Sequence, residues 1–221
     1  MPKKDGTPKE CKDVFHAFLV EKANYEGDEE IPCIKTSILI PQKVITFSKA
    51  LTSTDYDQWV VFYEQDERFI RLWNKPHKYL NILKKFQGVI TPDFSLYRNM
   101  PLVMQKWATY QGKALGVWLQ NEGIEIIPNV RFADERSYDF CFDGVEKNST
   151  VAIGTHGCIK KLTDRAYFEK GLSEMVEQLQ PKTIIIYGAA PDYIFGKYKK
   201  MGIRIIQFDS EFAVSHKAVS A

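Results

Sequence analysis

Seven short runs rich in β-branched and aromatic residues follow one another along the chain from residue 43 onward: "KVITF", "QWVVFY", "GVIT", "IEIIP", "TVAIG", "TIIIYG" and "IRIIQF". Most lack the in–out alternation of a strand with one wet face. A continuous apolar strand must be covered on both sides, which is how a parallel sheet packed against helices reads. The intervening segments supply helices. In "NMPLVMQKWATYQGKALGVWLQNEG" the residues Val103, Trp107, Tyr110, Ala114, Val117 and Trp118 recur at helical spacing, with Pro101 at the start. In "TDRAYFEKGLSEMVEQLQP" the stripe is Phe168, Leu172, Met175, Val176 and Leu179, with Asp164 as the expected N-cap and Pro181 as the stop. "PDYIFGKYKKMG" reads as a third, shorter helix.

Two junctions rhyme. "NEGIEII" and "KMGIRII" each pass from a helix end through glycine into a strand, and Gly123 and Gly202 suit the left-handed position that turns a chain back onto its sheet. The fold class expected is therefore α/β, a mostly parallel sheet covered by helices. A partial (βα) barrel is favoured, with an open doubly wound sheet as the alternative. The stretch from Tyr138 to Ser149 is too short and polar for a full crossover helix. Residues 1–40 read as a charged N-terminal arm whose tip is disordered and whose "VFHAFLV" docks; residues 41–221 form a single α/β domain.

A chain of 221 residues buries enough surface to fold without disulfides or structural metal. A net charge of +2 argues against a dedicated polyanion coat, so contact with nucleic acid requires a local patch. Cys11, Cys33, Cys141 and Cys158 show no CxxC spacing and follow no secretory signal, and no apolar run approaches the roughly 20 residues of a membrane helix. A cytoplasmic protein with free thiols and no membrane partner is expected.

Strand ends carry the chemistry in parallel α/β folds. Here they offer Asp93, Ser95 and Arg98, then Asn129, Arg131, Asp134, Glu135 and Arg136. Further along come Gly154, Thr155, His156 and Gly157, then Tyr187 and Gly188, then Asp209 and Glu211. Each group also has a plain structural reading. Asp93 and Ser95 suit helix capping, Asp134 and Glu135 suit solvated ion pairs with the nearby arginines, and Asp209 and Glu211 suit a charged sheet edge. Cys141, His156 and Cys158 lack the spacing of a zinc site. "GTHG" and "YGAA" lack the glycine spacing of phosphate-loop or dinucleotide fingerprints, so no organic cofactor is indicated, although their N–H groups suit a phosphate. Lysines at 84, 85, 160, 161, 197, 199 and 200, interleaved with Tyr193 and Tyr198, read as a solvated helix face or as a rim for phosphate backbones.

The blocks "GVITPDFSLYRNMPLVMQ", "IIPNVRFADERSYDFCFDG" and "VAIGTHGCIKK" resemble an uncharacterised family encoded by bacterial phages, plasmids and other mobile elements, over about Gly88 to Phe212. The resemblance implies a cytosolic protein of a bacterial host and carries no established reaction. Joined to the strand-end chemistry, it leads to a phosphate- or nucleic-acid-directed enzyme. Asp93, Asp134, Glu135, Asp209 and Glu211 would hold Mg²⁺ or Mn²⁺, with Asp93 and Asp209 among the catalytic groups. His156 would be the acid–base group, and Arg98 and Arg131 would clamp phosphate, within a ligand-binding mouth of Ser95, Asn129, Gly154, Thr155, Gly157, Tyr187 and Gly188. The alternative is a non-catalytic module that binds a nucleotide, a DNA replication intermediate or a host protein through the same mouth. Gathered carboxylates would favour the first reading, and matched Arg–Asp pairs the second.

Overall fold

The computed structural model describes residues 13–211, 213 and 214; the tip of the arm and Cys11 lie outside them. A small hairpin, β1 (Tyr25–Glu26) and β2 (Ile31–Pro32), belongs to the arm. The seven apolar runs then supply β3 (Val44–Thr46), β4 (Trp59–Val61), β5 (Gly88–Ile90), β6 (Ile126–Ile127), β7 (Thr150–Gly154), β8 (Thr183–Tyr187) and β9 (Arg204–Phe208). Strands β3 to β6 form one parallel sheet in chain order and β7 to β9 a second. The two meet where Ala152 N donates to Pro128 O at 2.9 Å and Val130 N donates to Ala152 O at 2.8 Å. Pro128 has no N–H to continue the ladder, so the seam narrows to a single bridge between Asn129 and Ala152.

The helices are α1 (Phe47–Ala50), α2 (Asp66–Asn74), α3 (Pro76–Leu83), α4 (Leu102–Asn121), α5 (Leu162–Leu179) and α6 (Asp192–Lys200). Gly123 and Gly202 take φ of 86° and 88°. In both cases the next N–H reaches back into the helix, Ile124 to Leu119 O and Ile203 to Tyr198 O, each at 3.1 Å. These paired bonds close the helix ends and account for the rhyme in the sequence. Lys161, not Asp164, occupies the N-cap of α5; Asp164 lies within the first turn. Between β6 and β7 runs only a 3₁₀ turn, Glu135–Ser137, and the cover that a helix would give comes instead from Phe140, Cys141, Phe142 and Val145.

Strictly sequential parallel strands with helices on one side make the sheet curl. Rings of Tyr63, just past β4, and Tyr187, on β8, stack with centroids 4.8 Å apart. Those strands are four places apart in the sheet order, about 19 Å in a flat sheet. The curled inner face is filled from the strands and their ends by Trp59, Val61, Ile90, Ile127, Ala152, Ile185 and Tyr187, with Tyr63 packed against them. Alternate residues of the same strands, Val60, Val89, Val151, Ile153, Ile184 and Ile186 among them, face two outer cores shared with the helices. Both faces are thus apolar, as the unbroken runs require. The partial barrel is the form adopted. Glu211, beyond β9, accepts from Thr46 Oγ1 at the end of β3 and pairs with Lys49 Nζ at 3.1 Å, tying the last segment to the first strand.

Helix α4 is buried from Gln111 through Leu119 because the arm lies over it. A Cβ at Gly116 would stand 2.5 Å from Ile34 Cδ1 on the arm and 2.7 Å from Thr91 Cγ2 at the end of β5. Leu19, Val20 and Ile34 of the arm join the first core. Val103 and Trp107, placed by periodicity on the apolar stripe, remain 72% and 40% exposed on the less covered first half of α4.

Inside the barrel, the Trp59 indole lies across Gly88, where an added Cβ would be 2.6 Å from the ring. Trp59 is only 1% exposed and has no room to retreat. Gly88→Ala is therefore expected to destabilise the fold by about 1–3 kcal/mol through overpacking. Urea unfolding with an unchanged m-value checks this, and an unaltered midpoint would show that Trp59 is not fixed there.

Candidate functional site

At the carboxyl ends of the strands a polar network caps the apolar interior. Asp93, in the loop after β5, accepts from Asn129 Nδ2 at 2.8 Å and from Arg131 Nη1 at 3.4 Å. Asn129 Oδ1 accepts from Tyr63 OH at 2.9 Å, and the Asn129 backbone N–H donates to Thr91 Oγ1 at 2.9 Å. Four successive strand ends, β4 to β7, meet here, because a Cβ on Gly154 would lie 2.9 Å from the Tyr63 ring and 3.7 Å from Asp93 Oδ2. The glycine at 154 makes room for Tyr63. At Gly157 the reason is different: its φ of +77° is the requirement, with nothing within 4 Å of an added Cβ. Thr155 is buried and donates to Ala189 O at 2.8 Å, while Gly188, at φ +115°, leaves no room for a Cβ beside the Thr155 hydroxyl.

Beside this network opens a cavity of about 690 Å³ with Tyr97, Arg98, Arg131, His156, Cys158 and Tyr167 in its walls. Arg131 belongs to both, held by Asp93 within the network and lining the cavity. Arg98 lies over the Tyr167 ring at 4.3 Å and pairs with Asp164 at 2.7 Å. His156 is exposed at the cavity edge, on the turn after β7. Ser95 is committed elsewhere: its N–H and hydroxyl both donate to the Asp66 carboxylate, at 3.1 and 2.9 Å.

The five carboxylates expected to share a metal are dispersed. Asp93 is on Arg131; Asp134 caps the 3₁₀ turn and pairs with Arg136 at 2.9 Å; Glu135 pairs with Lys170 at 3.4 Å; Glu211 is on Thr46 and Lys49. Asp209 is exposed beyond β9, 3.5 Å from Gln207 Nε2. Among the described residues no group of three or more His, Cys, Asp and Glu side chains is placed to hold a metal ion. The donor set does not fit Mg²⁺ or Mn²⁺, since each carboxylate already serves a cation or donor of its own. Cys33, Cys141 and Cys158 are free thiols, and Cys141 is buried in the outer core rather than beside His156.

Tyr63, Thr91, Tyr97 and Tyr167 are the participants that residue-type reasoning passed over. Tyr63 ends "QWVVFY" and obeys the same strand-end rule that singled out Asp93. Tyr167 carried no signal, because it faces the cavity from a helix rather than from a strand end.

Two aspartates of the region respond oppositely to their surroundings. Burial pushes the Asp93 carboxyl above its usual value of 3.8, against the opposing pull of Arg131 and Asn129. The hydrogen bond from the Arg136 side chain holds Asp134 below that value. Raised in the folded state, Asp93 contributes stability that is present below pH 3.8 and lost as pH rises through its folded pKa. Asp134 contributes stability that is present above pH 3.8 and lost as pH falls through its folded pKa. Carboxyl ¹³C titrations are expected to place the Asp93 midpoint above 3.8 and that of Asp134 below it; the reverse order would contradict the network as drawn.

Comparison with known proteins agrees with the resemblance of the three blocks. A family described as a domain of unknown function, DUF4417, matches residues 23–209. The Gene 1 protein of Mycobacterium phage L5 is 39% identical over 127 residues, which is 58% of this chain and 56% of that protein. The Gene 1 protein of Mycobacterium phage D29 is 36% identical over 127 residues, 58% of this chain and 47% of that protein. The chain thus spans about half the length of these relatives. No solved structure matches it. From the match over residues 23–209, the chain belongs to the DUF4417 family, whose function is unknown and whose relatives named here are phage proteins.

Proposed function

We propose that the mouth of the partial barrel recognises a phosphate-bearing ligand, a nucleotide or a nucleic acid terminus, as a binding module. The observation that carries this reading is Arg131. It is held by Asp93 at 3.4 Å and by the Cys158 sulfur, contacts that occupy only part of a guanidinium with five N–H donors. Its side chain is 24% exposed and lines the cavity, where a planar fork suits phosphate oxygens. Arg98 and His156 stand around the same space, and Tyr97 and Tyr167 offer rings against which a base can stack. Metal-assisted phosphodiester cleavage, the leading expectation from sequence, loses its support because its carboxylates are distributed among separate partners. Matched pairs of this kind accord with recognition without chemistry.

Arg131 is partly structural, so the test uses two variants. Arg131→Lys keeps the charge facing Asp93 but removes the fork, and His156→Ala removes an exposed side chain expected to change stability by less than about 0.5 kcal/mol. Calorimetric titration with nucleoside mono-, di- and triphosphates and with short oligonucleotides is expected to find a ligand for the unaltered protein. Arg131→Lys should weaken it roughly 10- to 100-fold, the worth of a charge-assisted contact, and His156→Ala should weaken it less. Affinities unmoved by both variants would exclude this cavity, and Mg²⁺-dependent turnover of an oligonucleotide would reinstate the enzyme.

A further inference from the structure

The basic and aromatic surface does not end at the cavity. Tyr97, Tyr167 and Tyr193 are 55%, 39% and 66% exposed, and two of these rings carry an arginine. Arg98, from the loop after β5, lies over Tyr167 of α5 at 4.3 Å. Arg165 of α5 lies over Tyr193 of α6 at 4.9 Å. Residues two apart on a helix point away from each other, so the two stacks stand on either side of the first turns of α5. At the start of that helix Lys160, Lys161 and Leu162 are exposed. Beyond Tyr193, the exposed Lys197 and Lys200 follow at intervals of four and three residues, which puts all three side chains on one face of α6.

Rings left in water do little for the fold, and a surface cation–π contact adds little to it. What these residues share is an order: flat rings, planar guanidinium groups and lysines succeed one another from the mouth to α6. Both arginines are fixed in place. Arg98 pairs with Asp164 at 2.7 Å, and Arg165 Nε donates to Ile159 O at 3.0 Å. The acids flanking this path already face a cation, Asp164 through Arg98 and Asp192 through Lys199 at 2.6 Å. An unpaired base stacks on aromatic rings and guanidinium planes whatever its identity, while lysines meet the phosphates between bases. A duplex hides those base faces. A chain of net charge +2 holds a polyanion only through a local patch, and the path is one.

We propose that a single-stranded nucleic acid runs from the mouth over the start of α5 to the exposed face of α6. Its bases stack on the Arg98–Tyr167 and Arg165–Tyr193 pairs, and its phosphates lie at Lys197 and Lys200. One end of the strand rests on the recognition proposed for the mouth, whose ligand then is a strand rather than a free nucleotide. Tyr193, Lys197 and Lys200 lie outside the cavity walls, so the path can be tested apart from the mouth.

Fluorescence anisotropy of the full chain with labelled oligothymidylate and oligouridylate, each as dinucleotide and dodecamer, tests the path. The dodecamer is expected to bind at least roughly tenfold more tightly than the dinucleotide. Tyr193→Ala should weaken the dodecamer roughly 5- to 100-fold, the worth of one stacked base, and leave the dinucleotide unmoved; Tyr193→Phe should keep the affinity. Lys197→Gln combined with Lys200→Gln should reduce the slope of log affinity against log salt by about 1.4, two contacts at about 0.7 each. The tighter of the two series identifies the sugar, and binding of neither overturns the proposal. A dodecamer bound no more tightly than the dinucleotide, or indifferent to Tyr193→Ala, overturns the path and leaves the mouth standing. Sensitivity to Tyr193→Ala without sensitivity to Arg131→Lys supports the path and overturns the mouth as its end. A duplex or a long inorganic polyphosphate that competes as well as the dodecamer shows attraction by charge alone and overturns the stacking.

Discussion

Everything in this molecule depends on closing the inner face of a curled parallel sheet. Seven strands laid side by side in chain order put their helices on one side only, so the other side must be filled from within. Trp59 does most of this at one end, lying over Gly88, and branched residues of β5, β6 and β8 complete the packing. Tyr63 and Tyr187 meet across the interior and form its upper boundary. Because that boundary is aromatic with hydroxyls, the apolar core changes directly into hydrogen-bonding chemistry. The position of the polar network is therefore a consequence of how the barrel is filled.

The curl also sets the partners of each charge. Asp93, Asn129 and Arg131 come from neighbouring strand ends, and only the curvature and the missing side chain at Gly154 let Tyr63 join them. Surface pairs such as Glu135–Lys170 add little, since both groups are well exposed. The Asp93–Arg131 pair differs because it is largely withdrawn from water and because its loss would strand a buried partner. The network thus orients Arg131 more than it stabilises the fold, which suits a group that presents its donors to a cavity.

Much of the architecture was legible before any coordinates. The seven apolar runs are the seven parallel strands, Gly123 and Gly202 take the left-handed conformation expected of them, and the segment from Tyr138 to Ser149 carries no α-helix. Helix α4 was legible as a helix but not as a buried one. Its outer face is covered by an arm whose approach depends on Gly116, and that contact joins residues far apart in the chain. Asp164 looked like a cap by residue type, yet the helix begins two residues before it, at Leu162, and its carboxylate goes to Arg98.

For the site, the sequence by itself determined which residues stand at strand ends, because strand periodicity and the glycine turns locate those ends without reference to the rest of the chain. That was enough to name Asp93, Asn129, Arg131, Gly154 and His156 as neighbours of one mouth. The tertiary structure alone decided which of them touch. Carboxylates that look interchangeable in the sequence each meet a different partner: Arg131 for Asp93, Arg136 for Asp134, Lys170 for Glu135 and Lys49 for Glu211. It also decided that Lys113 is buried without a hydrogen-bond partner among the described residues. The physical reason is range: periodicity is a local property of the backbone, whereas desolvation and ion pairing are fixed by side chains that the curl of the sheet brings together from distant segments.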